Sequence, residues 1–312
     1  MNVFQNIENY KASTKCILTI GTFDGVHIGH QKIIESLVKL AKQQKIQSTI
    51  LTFFPHPRMI LQQESNIKLI DTLEEKKNVL EQLGVDNLII HPFSKAFSRL
   101  SALEFCRDIL SDKIQINTLF IGYDHRFGRN REATAEDLVA MGKTYNFDVQ
   151  IIPAQDISSV TVSSTKVRKA IAIGDFNLVN GFLGRRYELS GTVIKGEGLG
   201  RTIGFPTANI EVDEPYKLIP PIGVYSVSVE HEKKMFHGMM NIGKRPTLNG
   251  KNKTLEVHLF DFDEDLYTKK IKILFNKKIR EEQKFESLDA LKKQLQMDKE
   301  ISKRSLINKG LH

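Results

Sequence analysis

The chain has 312 residues, 40% of them hydrophobic and 26% charged, with a formal net charge of +8; at roughly 100–200 residues per domain, that length fits two domains with cores of their own. Two cysteines, no tryptophan and no apolar run near the roughly 18 residues that span a bilayer exclude a disulfide scaffold, a Cys-rich metal site and a membrane-spanning helix. The basic residues are scattered over Lys-rich faces with few aromatics between them, which favours small polyanions and argues against nucleic acid or membrane as a partner.

The opening MNVFQNIENY lacks the basic and apolar segments of a secretory leader, and Cys16 and Cys106 sit in apolar segments, so a cytoplasmic protein is expected. Short apolar runs follow at Cys16–Ile20, Ser48–Phe53, Asn87–Ile90, Thr118–Ile121 and Val149–Ile152. Their length and β-branched content predict strands buried on both faces. Helical spacing lies between them, over His30–Gln44, Leu73–Leu83, Ala102–Leu110 and Thr134–Tyr145, with Gly84 as a stop signal after the second. Strands alternating with helices predict an α/β, Rossmann-like, doubly wound parallel sheet whose ligands bind beyond the strand carboxyl ends.

The first such end carries GTFDGVHIGH, residues 21–30. Two histidines three apart suit metal ligands, an acid–base pair or the lining of a phosphate pocket. A zinc site needs more ligands at suitable spacing, and no Cys or acidic–His cluster lies nearby. A strand that passes through a Gly-rich turn into a helix is an anion site, because the helix-start N–H groups and the dipole both favour negative charge. Gly21, Gly25 and Gly29 let the backbone come close, Phe23-Asp24-Gly25 shapes the turn, and His27 and His30 face the phosphates as donors to developing charge. Asp24 suits either orienting the turn or holding Mg²⁺. Further on, VSSTKVRKAIAIGD places Ser163, Ser164 and Thr165 at a helix start, with Arg168 in its first turns, as a second phosphate clamp.

Together these two motifs resemble the adenylyl-transferase superfamily. With FFPHP at 53–57 and FIGYDHRFGRNRE at 120–132, the set is similar to the FAD synthetase module of bacterial riboflavin kinase/FAD synthetases. The resemblance implies that His27, His30, Ser163, Ser164, Thr165 and Arg168 hold ATP. It implies that His56, Pro57, Asp124, Arg126 and Phe127 shape the nucleotide and flavin pocket. One departure is Ala133, where the family usually has Gly; a backbone needing positive φ there would be strained.

From Leu183–Tyr187 onward the pattern changes to short alternating strands, YELSGTVIKG, GVYSVSVE, FHGMMNIG, LEVHLFDF and KIKILF, punctuated by Gly, Pro and Asn. They predict a small antiparallel barrel or sandwich, with a helix over Leu288–Lys303 packed on it. Within GTVIKGEGLGRTIGFPTANI, residues 191–210, Gly196, Gly200, Arg201, Gly204, Phe205 and Pro206 make a flap suited to phosphates. Thr207 and Asn209 share a side of the extended segment after it, and their oxygens suit Mg²⁺ beside ATP. Glu256 and His258 alternate with Val257 and Leu259, so they too share a face.

This half resembles riboflavin kinase. The resemblance implies a β-barrel, makes Glu256 the general base for the riboflavin 5′-hydroxyl and puts Arg280 near the isoalloxazine or its phosphate. Arg186 stands where the family commonly has Pro. Residues 1–184 are expected to adenylylate FMN to FAD with loss of pyrophosphate, and residues 185–312 to phosphorylate riboflavin to FMN with loss of ADP. ATP is the co-substrate and Mg²⁺ serves both; a homo-oligomer is compatible with this. A transferase with another acceptor is disfavoured by the barrel motif, and a nucleic-acid binder would show strongly salt-dependent binding.

Overall fold

The computed structural model describes residues 1–11, 14–61, 67–122, 127–129, 132–152, 162–196, 198–244 and 253–307. They form two compact units, Met1–Ser163 and Ser164–His312.

The first unit is built on a parallel sheet of β1 (Asn2–Phe4), β2 (Cys16–Ile20), β3 (Gln47–Phe53), β4 (Asn87–His91), β5 (Ile116–Gly122) and β6 (Asp148–Ile152). The spatial order is β1-β4-β3-β2-β5-β6, and every pair is parallel. The chain reverses its direction of travel across the sheet around β2, which makes the end of β2 a switch point of the kind that hosts ligands. Each apolar run seen in the sequence lies within one of these strands. The short strand β1 was not foreseen: three residues, two of them exposed, give no periodic signal.

Along β2, Cys16 and Leu18 point into one core and Ile17 into another, so both faces of the sheet are covered. The second core takes Ile34, Leu37, Val38 and Ala41 from α1 (Ile28–Gln44), the stripe that its spacing predicts. After α2 (Pro57–Leu61), helix α3 (Leu73–Gln82) starts from a Thr72–Glu75 capping box, and Gly84 follows it with φ of 81°. The segment expected as a helix over Ala102–Leu110 begins as α4 (Ala102–Glu104) and continues as a wider π-type coil, Phe105–Ile114. Helix α5 (Ala135–Tyr145) is capped by Thr134.

The second unit opens with α6 (Ser164–Ile173) and α7 (Phe176–Leu183). A closed antiparallel barrel follows, made of β7 (Tyr187–Ile194), β8 (Ala208–Glu211), β9 (Gly223–His231), β10 (Lys234–Lys244), β11 (Lys253–Leu259) and β12 (Lys270–Arg280), in the order β10-β11-β8-β7-β12-β9. A short helix α8 (Leu199–Thr202) sits between β7 and β8. Phe176 of α7 stacks on Phe275 at 4.9 Å and meets Tyr225 edge-on, closing an aromatic core with Tyr187. The Tyr187 hydroxyl donates to the Leu218 carbonyl, and Tyr225 to that of Pro221 at 2.6 Å.

The last helix, α9 (Leu288–Ile307), docks on the barrel through polar contacts. Ser302 donates to the Gly238 carbonyl at 3.0 Å and Ser305 meets Ser226 at 2.9 Å. The architecture is the expected one: a doubly wound parallel sheet, then an antiparallel barrel with a C-terminal helix.

Candidate active sites

The turn from β2 to α1 is held in an unusual backbone shape. Phe23 and Val26 adopt φ of 44° and 34°, a region that costs any residue with a Cβ and a β-branched one most. Gly25, at φ 85°, is required twice over, since a Cβ there would also lie 3.0 Å from Ile70. The turn is pinned from three sides. The Gly21 amide donates to the Leu51 carbonyl at 3.1 Å, the Ile70 amide donates to Asp24 Oδ1 at 2.9 Å, and Thr52 Oγ1 donates to the Thr22 carbonyl at 3.3 Å. Asp24, 2% exposed, thereby ties the turn to the segment ahead of α3.

The turn delivers His27 as the N-cap of α1, with Nδ1 accepting from the His30 amide at 3.3 Å. That bond places the ring proton on Nε2, leaving an N–H donor at the helix N-terminus. The His30 ring stacks on His27 with centroids 3.7 Å apart and 16° between planes, and Phe23 meets it edge-on at 5.3 Å. His30 Nδ1 is buried with no hydrogen-bond partner among the described residues. Leaving such an atom unsatisfied costs about 1–3 kcal/mol, which a bound acceptor or donor would recover. Burial pushes the His27 imidazole down to about 4. His30 falls well below its usual value, through burial first and then the neighbouring His27 and Lys76 charges. Both rings are therefore neutral near pH 7.

The other predicted residues of this half are spread along the sheet's ligand edge and beyond. The Phe54–Pro55 peptide is cis, and His56 Nδ1 accepts from the Arg58 amide at 3.1 Å as α2 begins at Pro57. Phe127 pairs with Ala133 through two backbone hydrogen bonds of 3.2 Å and meets the Phe105 ring at 6.2 Å. Asp124 and Arg126 lie outside the described residues. A Cβ on Gly29 would come 4.0 Å from the Val162 carbonyl, so the segment just ahead of Ser163 reaches the histidine turn. Ser163 ends the first unit; Ser164, Thr165 and Arg168 begin the second on α6, where Arg168 Nη1 donates to the Ser164 carbonyl at 3.4 Å.

In the barrel, β11 pairs with β8 so that Glu256 lies opposite Asn209, and with β10 so that it lies opposite Asn241. Thr207 Oγ1 donates to Glu256 Oε2 at 3.5 Å. The structure thus brings Thr207, Asn209 and Glu256 together, across a strand pairing that the spacing of neither segment predicts. Gly196 is the second glycine whose hydrogen matters, because a Cβ there would collide with the Asn209 amide. His258 Nδ1 lies 2.7 Å from the Pro206 carbonyl, and its ring meets Phe205 at 5.3 Å, tying the flap's Phe205-Pro206 to β11. Around them, Gly200 and Arg201 lie in α8, and Gly204 follows it with φ of 83°.

Residues 9–166 match the family described as FAD synthetase, and residues 183–306 the family described as riboflavin kinase. A Haemophilus influenzae protein named bifunctional riboflavin kinase/FMN adenylyltransferase is 38% identical over 290 residues, covering 92% of this chain and 93% of its own. An Escherichia coli protein of the same name is 37% identical over 96% of each chain. The chain belongs to the bifunctional riboflavin kinase/FMN adenylyltransferase family.

A crystal structure described as a macrolide-efflux protein from Streptococcus pneumoniae shares the whole architecture, at a TM-score of 0.88 and 30% identity over 96% of this chain and 98% of that one. Efflux is said there of that protein; no helix among the described residues of this chain is long and apolar enough to cross a membrane. Against the family's usual Gly, Ala133 sits in an extended bridge with Phe127 and is 4% exposed, so the expected backbone strain does not arise. Arg186, in place of Pro, donates to Ser228 Oγ at 3.1 Å.

Arg280 is engaged with α9: its Nε and Nη2 bind the Asp298 carboxylate at 2.8–3.0 Å, and its plane lies 5.7 Å from the Phe285 ring. Sequence reasoning missed Asn241, Thr52 and Lys76, each of which reaches a site by a pairing across the fold. For Asn241 a signal was present in the quoted strand FHGMMNIG; for Lys76, in a run of charges on a helix, there was none.

Proposed function

We propose that residues 1–184 of this flavin-cofactor enzyme carry FMN adenylylation and residues 185–312 riboflavin phosphorylation. What carries this reading is the occurrence, in one chain, of a stacked His27–His30 pair at a helix N-terminus and a Glu256–Thr207–Asn209 group in a closed barrel.

In the barrel, Glu256 takes the proton of the riboflavin 5′-hydroxyl as that oxygen attacks the ATP γ-phosphorus and ADP leaves. The flap with Gly196, Gly200, Arg201, Gly204, Phe205 and Pro206 covers the phosphates. Among the described residues no cluster of three or more His, Cys, Asp or Glu could hold a metal ion. The hard oxygens of Thr207 and Asn209 suit Mg²⁺ arriving on ATP, which would neutralise phosphate charge. Arg280 reaches the flavin side only if it shares its guanidinium with Asp298, so its first role is to hold α9.

In the sheet domain, an FMN phosphate oxygen attacks the ATP α-phosphorus and pyrophosphate leaves. His27 donates from Nε2, and His30 supplies a second ring nitrogen; the family resemblance adds Ser163, Ser164, Thr165 and Arg168 as ATP-binding residues and Asp124, Arg126, Phe127, His56 and Pro57 as residues for the nucleotide and flavin. Neutral rings donate without the like-charge cost of two stacked imidazolium ions. Both cysteines are buried thiols, which suits the cytoplasm.

Incubation with riboflavin, ATP and Mg²⁺ is expected to give FMN and ADP, then FAD and pyrophosphate. His30→Ala should lower FAD formation by roughly 10²–10³-fold and spare FMN formation. Glu256→Ala should lower FMN formation by about 10²-fold or more, yet make FAD when FMN is supplied. A folded variant that stops both steps would refute the two-site assignment.

A further inference from the structure

The ammonium of Lys76 has no part in either transfer as described so far. Helix α3 carries it under the Gly21–Gly25 turn, where it is 4% exposed and donates from Nζ to the Thr22 carbonyl at 2.7 Å. That carbonyl also accepts from Thr52, and two residues on, Asp24 accepts from Ile70. Burial lowers the Lys76 pKa, while the carboxylates of Asp24 and Asp71, themselves buried, raise it. Taking an ammonium out of water is costly, and an aliphatic side chain at this core position of α3 would avoid the cost. A charge kept at such a place is kept for what it holds.

We propose that Lys76 is a positioning residue for adenylyl transfer, clamping the Thr22 carbonyl and so setting the turn that presents His27 and His30 to the phosphates. This rests on the reading of that pair as the adenylyl-transfer site. The mechanical link is short: Lys76 holds Thr22, the next residue is Phe23, and the Phe23 ring lies edge-on against His30. An electrostatic link runs beside it. His30 faces the His27 ring from its own helix and the Lys76 charge from α3, and both oppose its protonation.

The test begins with wild-type protein: absence of FAD from FMN and ATP would overturn the proposed function, and this proposal with it. In Lys76→Met, kcat for FMN adenylylation is expected to fall about 10²-fold, the loss that a misplacement of about 1 Å brings, with KM for ATP within about threefold. Riboflavin phosphorylation should be unchanged. The acid limb of the adenylylation profile should move to higher pH, because His30 accepts a proton more readily without the cation; a merely structural loss would leave the limb in place. Lys76→Gln keeps an N–H for the Thr22 carbonyl and should regain part of kcat without restoring the limb. Wild-type adenylylation in Lys76→Met, a slower reaction with an unmoved limb, or loss of fold in both variants by thermal unfolding, overturns the proposal.

Discussion

Histidine is an uncommon helix N-cap, because Ser, Thr, Asp and Asn reach the N2 or N3 amide with shorter side chains. His27 fills the position with Nδ1, which is possible only while the ring is neutral. The unfolded chain titrates this imidazole near 6.5 and the folded chain near 4. Between those values the unfolded state binds more protons, so stability rises with pH there: the contribution is complete above about 6.5 and gone below about 4. At roughly 1.4 kcal/mol per pH unit, the span amounts to about 3 kcal/mol. His27→Gln is expected to flatten the pH dependence of urea unfolding over that window; an unchanged slope would show that the cap does not titrate as described. The H-x-G-H motif was legible in the sequence because its chemistry is local, a strand end, glycines and a helix start within ten residues. Lys76 was not, because its partner Thr22 is 54 residues away and nothing in a helical charge run marks the buried member.

Helices and strands show the same division. Helix α9 was expected from its spacing, but the spacing does not say that Asp298 faces inward, fully buried, against Arg280. The carboxylate and guanidinium lie 18 residues apart and meet only once β12 and α9 are both in place. Asp298→Ala leaves the Arg280 charge, 18% exposed, without its counter-ion. The expected destabilisation of the barrel unit is about 2–4 kcal/mol by denaturant unfolding. As a contrast, Glu8→Gln breaks the surface pair with Lys113, in which both side chains are about half exposed, and should change stability by less than about 1 kcal/mol. Strand β8 was legible only as an extended stretch holding Thr207 and Asn209; its place between β7 and β11 comes from barrel closure, which no local pattern encodes. The π-type coil after α4 likewise escaped, since its apolar spacing reads as an ordinary helix.

For the molecule as a whole, a net charge of +8 acts on substrates that differ sharply in charge. ATP and FMN are anions and riboflavin is neutral, so kcat/KM for ATP is expected to fall several-fold as salt is raised from low levels to about 0.3 M, while that for riboflavin stays within about twofold. Equal salt dependence for the two would show that the field does not steer. The change from strand–helix alternation to short alternating strands near Leu183–Tyr187 was legible in the sequence, because the two patterns repeat with different periods. The aromatic core of the barrel has one more consequence, for spectroscopy. The chain has no tryptophan, so its near-ultraviolet absorption belongs to tyrosine. Tyr187 and Tyr225 hold their hydroxyls against the Leu218 and Pro221 carbonyls inside the barrel. Melting the barrel transfers those phenols to water and shifts their absorption, while a bound flavin is read in the visible. Integrity of the barrel can therefore be followed through tyrosine absorption in a flavin-free sample, and flavin binding to the whole chain in the visible, without any label.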